Sequence, residues 1–448
     1  MATRSTTELI PALPALAAGA RVLVAYSGGL DSTVLLHLLA QRRTPGLVVV
    51  HVHHGLQASA DDWAGGCAAF CAGLGLPMIL CRAAIADDDA AGPEAAARDA
   101  RYALLRAQMR PGDLLVTAHH RDDQAETLLL RLLRGAGVHG LAAMRPSTVF
   151  APGQLWRPLL AQPRQRLREY ADAQGLRWIE DPHNEDPRYA RSWLRGAVMP
   201  GLRARFPQAD LSLSRAARLA DEAAGLLDEL AAQDHAAAAA RDGTLSVAAL
   251  LALSAPRRHN LIRWWLHGLG FRPPFAEGLD RIDAEVLTVA MDAEPRLAWP
   301  GCELRRYRDR LFAMAPLPAV EAWSQVWSAD CAIELPAAAG RLESASPPPF
   351  SLRLRSARQG EAFRPDGSQQ SKTLRNRFQE LGVPPWLRAR IPVLEAGEGA
   401  WCMPGIGATR QWRESLVAQG WQGCWRHDFA GLPSLLALDG TPPLRDCP

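Results

Sequence analysis

The chain has 448 residues, 48% hydrophobic and 22% charged, with a formal net charge of +3. That length exceeds what one core supports and predicts roughly two to four domains, and the ordinary apolar-to-charged balance excludes a long disordered chain. No apolar run approaches the roughly 18 residues of a membrane span, and Glu8 interrupts the alanine- and leucine-rich start, so neither span nor signal peptide is expected and the predicted compartment is the cytoplasm.

In chain order, Val22–Tyr26 reads as a buried strand that runs into Ser27-Gly28-Gly29-Leu30-Asp31-Ser32 and then a helix from Ser32 to Leu39. Two glycines at a strand-to-helix turn let the backbone approach an anion, and the helix directs free N–H groups and its positive dipole end at the same point. The segment is a phosphate cradle without the lysine of a Walker A loop. Further strands are predicted at Leu47–Val52, Met78–Cys81, Leu114–Ala118 and Trp156–Leu159, alternating with helices at Ser59–Gly73, Gly92–Arg110 and Asp122–Leu133. Such alternation predicts an α/β fold with a doubly wound parallel sheet, which binds ligands beyond the carboxyl ends of its strands.

Two further clusters follow, one at a predicted strand end and helix start and one within a predicted helix. In Ala118-His119-His120-Arg121-Asp122-Asp123-Gln124-Ala125-Glu126, Asp122 and Glu126 share one helix face and Asp123 the neighbouring one. Capping alone does not need three acids and two histidines in eight residues. With His51, His53 and His54 they could form a metal-hydrolase ligand set. The phosphate cradle favours Mg²⁺–ATP chemistry, with acids to hold a bridging ion and an amine nucleophile. Arg98 and Arg101, three apart on one helix, suit a phosphate or a developing oxyanion.

Beyond residue 180 the texture changes. Arg188, Arg191 and Arg195 recur at helical spacing with Tyr189 and Trp193 between them, a mixture suited to phosphates and bases. Leu211–Trp265 is alanine- and leucine-rich and predicts an all-helical region. The proline-rich stretch 316–349 reads as a linker with one strand at most, followed by a strand at Ser351–Arg355 and a helix at Lys372–Leu381. From Ser351 to Arg390 there are nine basic and three acidic residues, a local +6 that reads as an RNA footprint. Lys372 is the only lysine among 50 basic residues. The eight cysteines include no CxxC pair, so a disulfide framework or zinc ribbon is not expected.

SGGLDS, HVHHGL, ARDARY, AHHRDDQAET, RGAGVHGLAAM, WRPLL and the DPHNED…ARSWLR box, in this order, resemble the tRNA(Ile)-lysidine synthase family of the PP-loop ATP pyrophosphatases. The stretch from Arg358 through Lys372 to Leu394 is similar to that family's terminal tRNA-binding module. The resemblance implies that lysine is joined to C2 of the wobble cytidine of a CAU anticodon, through an adenylated cytidine formed from ATP with loss of pyrophosphate. It implies ATP binding by Ser27, Gly28, Gly29, Leu30, Asp31 and Ser32, with Asp31 linked to Mg²⁺. It implies Arg98, Arg101, His119, His120, Asp122, Asp123 and Glu126 around the reacting groups. Arg188, Arg191, Arg195, Arg358, Lys372, Arg375 and Arg388 would meet tRNA(Ile). The partners are then that tRNA, L-lysine and ATP, no membrane, with a homodimer in some members.

The domains implied are a catalytic PP-loop domain over 1–205, a helical tRNA-binding domain over 206–315, the linker, an α+β tRNA-binding domain over 350–430 and a tail over 431–448. His183 and Ser192 stand where the family commonly has Ser and Asn. The competing expectations are another PP-loop tRNA-modifying enzyme such as a 2-thiolase, and a non-catalytic RNA-binding protein. Thiolases of this class use paired cysteines or an iron–sulfur ligand set, and this chain has no such pair.

Overall fold

The computed structural model describes residues 9–53, 60–83, 93–180, 186–240, 242–290, 293–358, 360–367, 370–418, 420–429 and 435–438. The expectations placed on His54 and His183 fall outside them. Six strands, β1 (Val22–Ala25), β2 (Leu47–His53), β3 (Met78–Arg82), β4 (Leu114–Val116), β5 (Ser147–Phe150) and β6 (Gly153–Trp156), form one sheet in the order β3-β2-β1-β4-β6-β5. Every pairing is parallel except β5 with β6. The helices of this region are α1 (Leu30–Gln41), α2 (Ala60–Gly73), α3 (Pro93–Ala107), α4 (Arg121–Leu133), α5 (Val138–Leu141) and α6 (Arg164–Ala173).

The sheet is apolar on both faces because helices cover both. Val22, Val24, Val49 and Leu114 pack with Leu35 of α1, Cys67 of α2 and Leu167 of α6. On the other face Leu23, Val50, Leu115 and Leu155 pack with Leu105 of α3. Each such side chain contributes about 1.5–3 kcal/mol on burial. The fifth strand departs from expectation: β6 ends at Trp156, where the predicted strand began, and the hairpin partner β5 was not foreseen. β5 is an edge strand with Val149 87% exposed, so it lacks the apolar signature of its buried neighbours.

Asp113 pins the sheet at the entry to β4. Its carboxylate accepts from the Arg21 backbone N–H at 2.9 Å, Arg21 Nε at 3.1 Å and the Arg110 N–H at 2.8 Å. This joins the start of β1 to the start of β4, whose opposite ends carry the candidate site.

After α6 come α7 (Ala190–Trp193), a π-helical turn (Leu194–Val198), α8 (Met199–Arg205) and the long α9 (Ala209–Ala238). The chain divides into two compact units, Met1–Leu226 and Leu227–Pro448. In the second, helices at Val247–Ala252, Ala255–Gly268 and Ala276–Ile282 pack on a four-stranded antiparallel sheet (Leu245–Ser246, Arg310–Met314, Cys302–Tyr307 and Arg296–Trp299). The region predicted as helical therefore contains a sheet.

The predicted linker is likewise structured. Ser324–Trp327, Ala332–Glu334 and Arg341–Ser344 are strands of two further antiparallel sheets, with Trp327, Leu335 and Leu342 buried. Its prolines punctuate short strands and do not mark an open chain. Leu435–Ala437, from the predicted tail, pairs with Gly423–Arg426. The helix expected from Lys372 starts at Leu374, and Lys372-Thr373 pairs with Ala362-Phe363.

Removing the Asp113 charge should loosen the sheet. Asp113→Asn is expected to cost about 3 kcal/mol, because it leaves Arg21 partly buried without its counter-charge. Burial works to raise this carboxyl, and the Arg21 and Arg110 donors overcome it and hold it below the usual range. Its contribution is present above the unfolded value of about 3.9 and is lost as pH falls through the folded value. Thermal melting of the variant and the wild type from pH 7 to pH 3 checks this; equal melting temperatures at pH 7 would refute it.

Candidate active site

The turn between β1 and α1 is shaped by one glycine in particular. Gly28 has φ +84°, and a Cβ there would lie 2.7 Å from Cys67 Sγ and from Ile179 Cδ1. Gly29 caps α1 in extended backbone, and a Cβ there would meet only ordinary contacts. The loop is held from within: Ser27 and Ser32 hydroxyls are 3.0 Å apart, and Ser32 Oγ donates to the Gly29 carbonyl at 3.0 Å. The Ile179 N–H donates to the Gly28 carbonyl at 2.9 Å. His51 Nδ1, 2.9 Å from the Tyr26 carbonyl, steadies the loop entry, and burial lowers its pKa and keeps it neutral.

The end of β4 supplies the second wall. His120 caps α4: its ring accepts from the Asp123 N–H at 3.4 Å, and the Asp123 carboxylate accepts from the His120 N–H at 3.1 Å. His120 Nε2 lies 3.6 Å from Asp31 Oδ2 and 3.3 Å from Asp123 Oδ2. His120 thus couples the phosphate loop to the acid cluster. Burial alone would lower its pKa, but Asp123, Asp31 and Asp122 reverse the sign and raise it. His119 has the opposite fate. Burial, with Arg101, Arg157 and Arg191 nearby, outweighs Asp123 and pushes it down to about 3, and its Nδ1 lies 2.9 Å from Thr117 Oγ1.

The three acids differ in their partners. Asp122 accepts from the Arg164 N–H at 3.0 Å and from Arg203 Nη2 at 3.0 Å. Glu126 is fully buried and takes Arg195 Nε at 2.8 Å and Arg191 Nε at 2.9 Å. Asp123 receives Arg195 Nη2 at 3.2 Å; burial raises its pKa, but His120 and Arg191 overcome this and hold it far below the usual range. Arg191 and Arg195 therefore turn inward onto acids and do not form the outward stripe that their spacing predicted. The π turn lies within this run of helix and includes Arg195. Arg188 is exposed and pairs with Asp186.

Arg98 and Arg101 flank Tyr102, with guanidinium carbons 5.2 and 5.4 Å from its ring centroid. Arg157, Arg164 and Arg203 belong to no site expected from the motifs. Arg157 follows β6, a strand end of the kind that binds ligands, and the misplaced fifth strand concealed it.

In the second unit Arg388 is spent internally, donating to the Val383 carbonyl and lying over Tyr307 and Phe378. Lys372 pairs with Glu380 at 2.6 Å. Arg355 is buried on Glu361 and Glu395, and Arg390 on the Trp386 and Pro318 carbonyls. The exposed cations of the +6 segment are thereby reduced to a set that includes Arg353, Arg358, Arg364 and Arg375.

A parallel sheet with a glycine phosphate loop at one strand end and an acid cluster at the next defines an ATP-using enzyme of the PP-loop class. Residues 2–202 match a PP-loop domain model, 245–312 a TilS substrate binding domain and 351–425 a TilS substrate C-terminal domain. The tRNA(Ile)-lysidine synthase of Methylococcus capsulatus is 44% identical over 392 residues, 84% of this chain and 89% of the relative. That of Xanthomonas campestris is 42% identical over 400 residues (87% and 90%), and that of Shigella flexneri 40% over 405 (87% and 93%). The chain belongs to the tRNA(Ile)-lysidine synthase family and is an ATP-dependent ligase. A solved U34-tRNA thiolase from Methanococcus maripaludis is 19% identical with a TM-score of 0.40, covering 48% of this chain and 76% of that one, and carries no weight here. No helix of the described residues is long and apolar enough to cross a membrane.

The two histidines should titrate apart. Imidazole NMR is expected to show His120 changing above its ordinary value of about 6.5 and His119 silent down to about pH 4. The stabilisation His120 gains is full below about 6.5 and is lost as pH rises through the folded value. Asp31→Asn should lower the His120 midpoint; an unchanged midpoint would show that the phosphate loop and the acid cluster are not electrostatically coupled.

Proposed function

We propose that this enzyme adenylates the C2 oxygen of the wobble cytidine in the CAU anticodon of tRNA(Ile) and then lets lysine displace AMP, giving lysidine. One observation carries the reading: the phosphate loop and the acid cluster face one another across His120, with Asp31 3.6 Å from the His120 ring. A group activated by the nucleotide and a cationic nucleophile held by acids would meet there.

The chemistry explains why both halves are needed. The cytidine C2 oxygen leaves poorly until it carries a phosphoryl group. Charge that builds as pyrophosphate departs would be met by the N–H groups of the Ser27–Ser32 turn, with Arg98 and Arg101 steadying the nucleotide or the adenylated base. Asp31 Oδ1 is buried without a hydrogen bond, with Arg164 Nε 3.5 Å away as its ion-pair partner, and a carboxylate so placed beside the phosphate turn would fit Mg²⁺. Mg²⁺ takes one or two carboxylates and completes its shell with water and phosphate oxygens, which suits Asp31 beside the phosphate turn. The ion, when bound, would neutralise charge on the phosphates.

The depressed pKa of Asp123 makes it a weak base and a strong counter-ion, so it would position the lysine ammonium and leave deprotonation to another group. Asp122 and Glu126 would hold the arginines that shape this pocket. Burial pushes the Cys67 and Cys71 thiols up to about 12 and about 11, which disfavours the thiolates that sulfur transfer requires. Arg358, Lys372, Arg375 and Arg388 remain the proposed tRNA contacts of the second unit, with Lys372 and Arg388 acting partly through their internal partners. We place the enzyme in the cytoplasm; a homodimer is what the family resemblance suggests for some members.

Radiolabelled lysine, ATP, Mg²⁺ and a CAU-anticodon tRNA(Ile) transcript test the reading. Alkali-stable label in the RNA that vanishes when the wobble cytidine is changed is expected; no label would refute it. Asp31→Ala should slow pyrophosphate release at least 100-fold, the scale of losing one transition-state contact, with tRNA binding within about twofold of wild type. A near-normal rate would show that the loop is misassigned.

A further inference from the structure

Four arginines on the far side of β4 from the phosphate loop have no counter-charge. Among the described residues none of Arg98, Arg101, Arg131 and Arg157 makes an ion pair. Arg131 is braced on the carbonyls of Gly140 and Ala143 at 2.8 and 2.7 Å. Arg157, 9% exposed, donates one Nη to the Arg145 carbonyl at 2.7 Å, while its Nε is buried without a partner. Arg101 Nε is also buried and unpartnered, and the Tyr102 hydroxyl, buried with no hydrogen bond of ordinary geometry, lies against the Arg101 and Arg157 guanidiniums. Burial and mutual repulsion weaken proton binding at Arg101, Arg131 and Arg157 alike. Buried donors without acceptors, on like charges without counter-ions, describe an anion site.

The location selects the anion. β1 and β6 are separated by β4, so the loop after β1 and Arg157 stand roughly 10 Å apart at two strand spacings. ATP phosphates have their own cradle, and His119, at the end of the intervening strand, feels both Arg101 and Arg157. A base drawn out of an RNA strand into an enzyme carries its flanking phosphates with it. We propose that Arg131, Arg157 and Tyr102, with Arg101 shared between them and the adenylated base, form a pocket for a phosphodiester next to the reacting base, separate from the ATP phosphate site. This rests on the reading above only in that the substrate is RNA.

The test uses the full-length protein and tRNA transcript without turnover. Arg157→Gln should weaken tRNA binding about tenfold and reduce the slope of log affinity against log salt by about 0.7–0.9, one phosphate contact. ATP affinity should stay within about twofold, and Arg157→Lys should keep the slope. Tyr102→Phe, which deletes one oxygen, should weaken tRNA binding about threefold and covers the case in which the glutamine variant melts early. An unchanged salt slope, or a loss of ATP affinity equal to that for tRNA, would overturn the assignment. Because binding is read without lysine transfer, failure of the lysidine assay would leave this result standing, and the reverse holds too.

Discussion

Much of the first unit turns on one buried carboxylate. Glu126 projects from α4 into a site with no water access, where a lone negative charge is costly. Arg191 and Arg195 satisfy it from a helix more than 60 residues later in the chain. Their pairing draws α7 and the π turn onto α4 and holds the acid cluster against the end of β4. Removing one member would strand buried charge, at a cost of about 3–5 kcal/mol. The phosphate loop gains its position from the same sheet, through the parallel pairing of β1 with β4 and the Asp113–Arg21 contact at its base.

The site is electrically divided. On one side Asp31, Asp122 and Asp123 surround His120; on the other, arginines dominate around Tyr102. His119, between them, is kept neutral by burial and by the neighbouring guanidiniums. This division suits a reaction that handles a polyanion and a cationic nucleophile at once, since each is drawn to a different wall. It also explains why adjacent histidines in one motif acquire opposite protonation tendencies.

The sheet was legible in the residues because strands buried on both faces read as unbroken apolar runs, and the glycine turn stands out where Val22–Ala25 gives way to Gly28. The edge hairpin was not, since β5 is half exposed and its alternation is short. The strands within 316–349 were hidden by proline and alanine, although Trp327 and Leu342 are core residues. The arginine spacing at 188, 191 and 195 was visible, but spacing cannot tell which face a helix turns inward. Only the folded chain brings Glu126 within 3 Å of two of those guanidiniums. Arg157 was concealed for a simpler reason, a strand placed three residues too late.

In this enzyme ATP activates the nucleobase and not the amino acid. Isotope exchange between labelled pyrophosphate and ATP, measured with tRNA(Ile) and without lysine, tests it most directly. Exchange that requires the wobble cytidine and proceeds in the absence of lysine is the result predicted. Exchange that requires lysine and proceeds without tRNA would contradict the account and mark the enzyme as one that adenylates an amino acid.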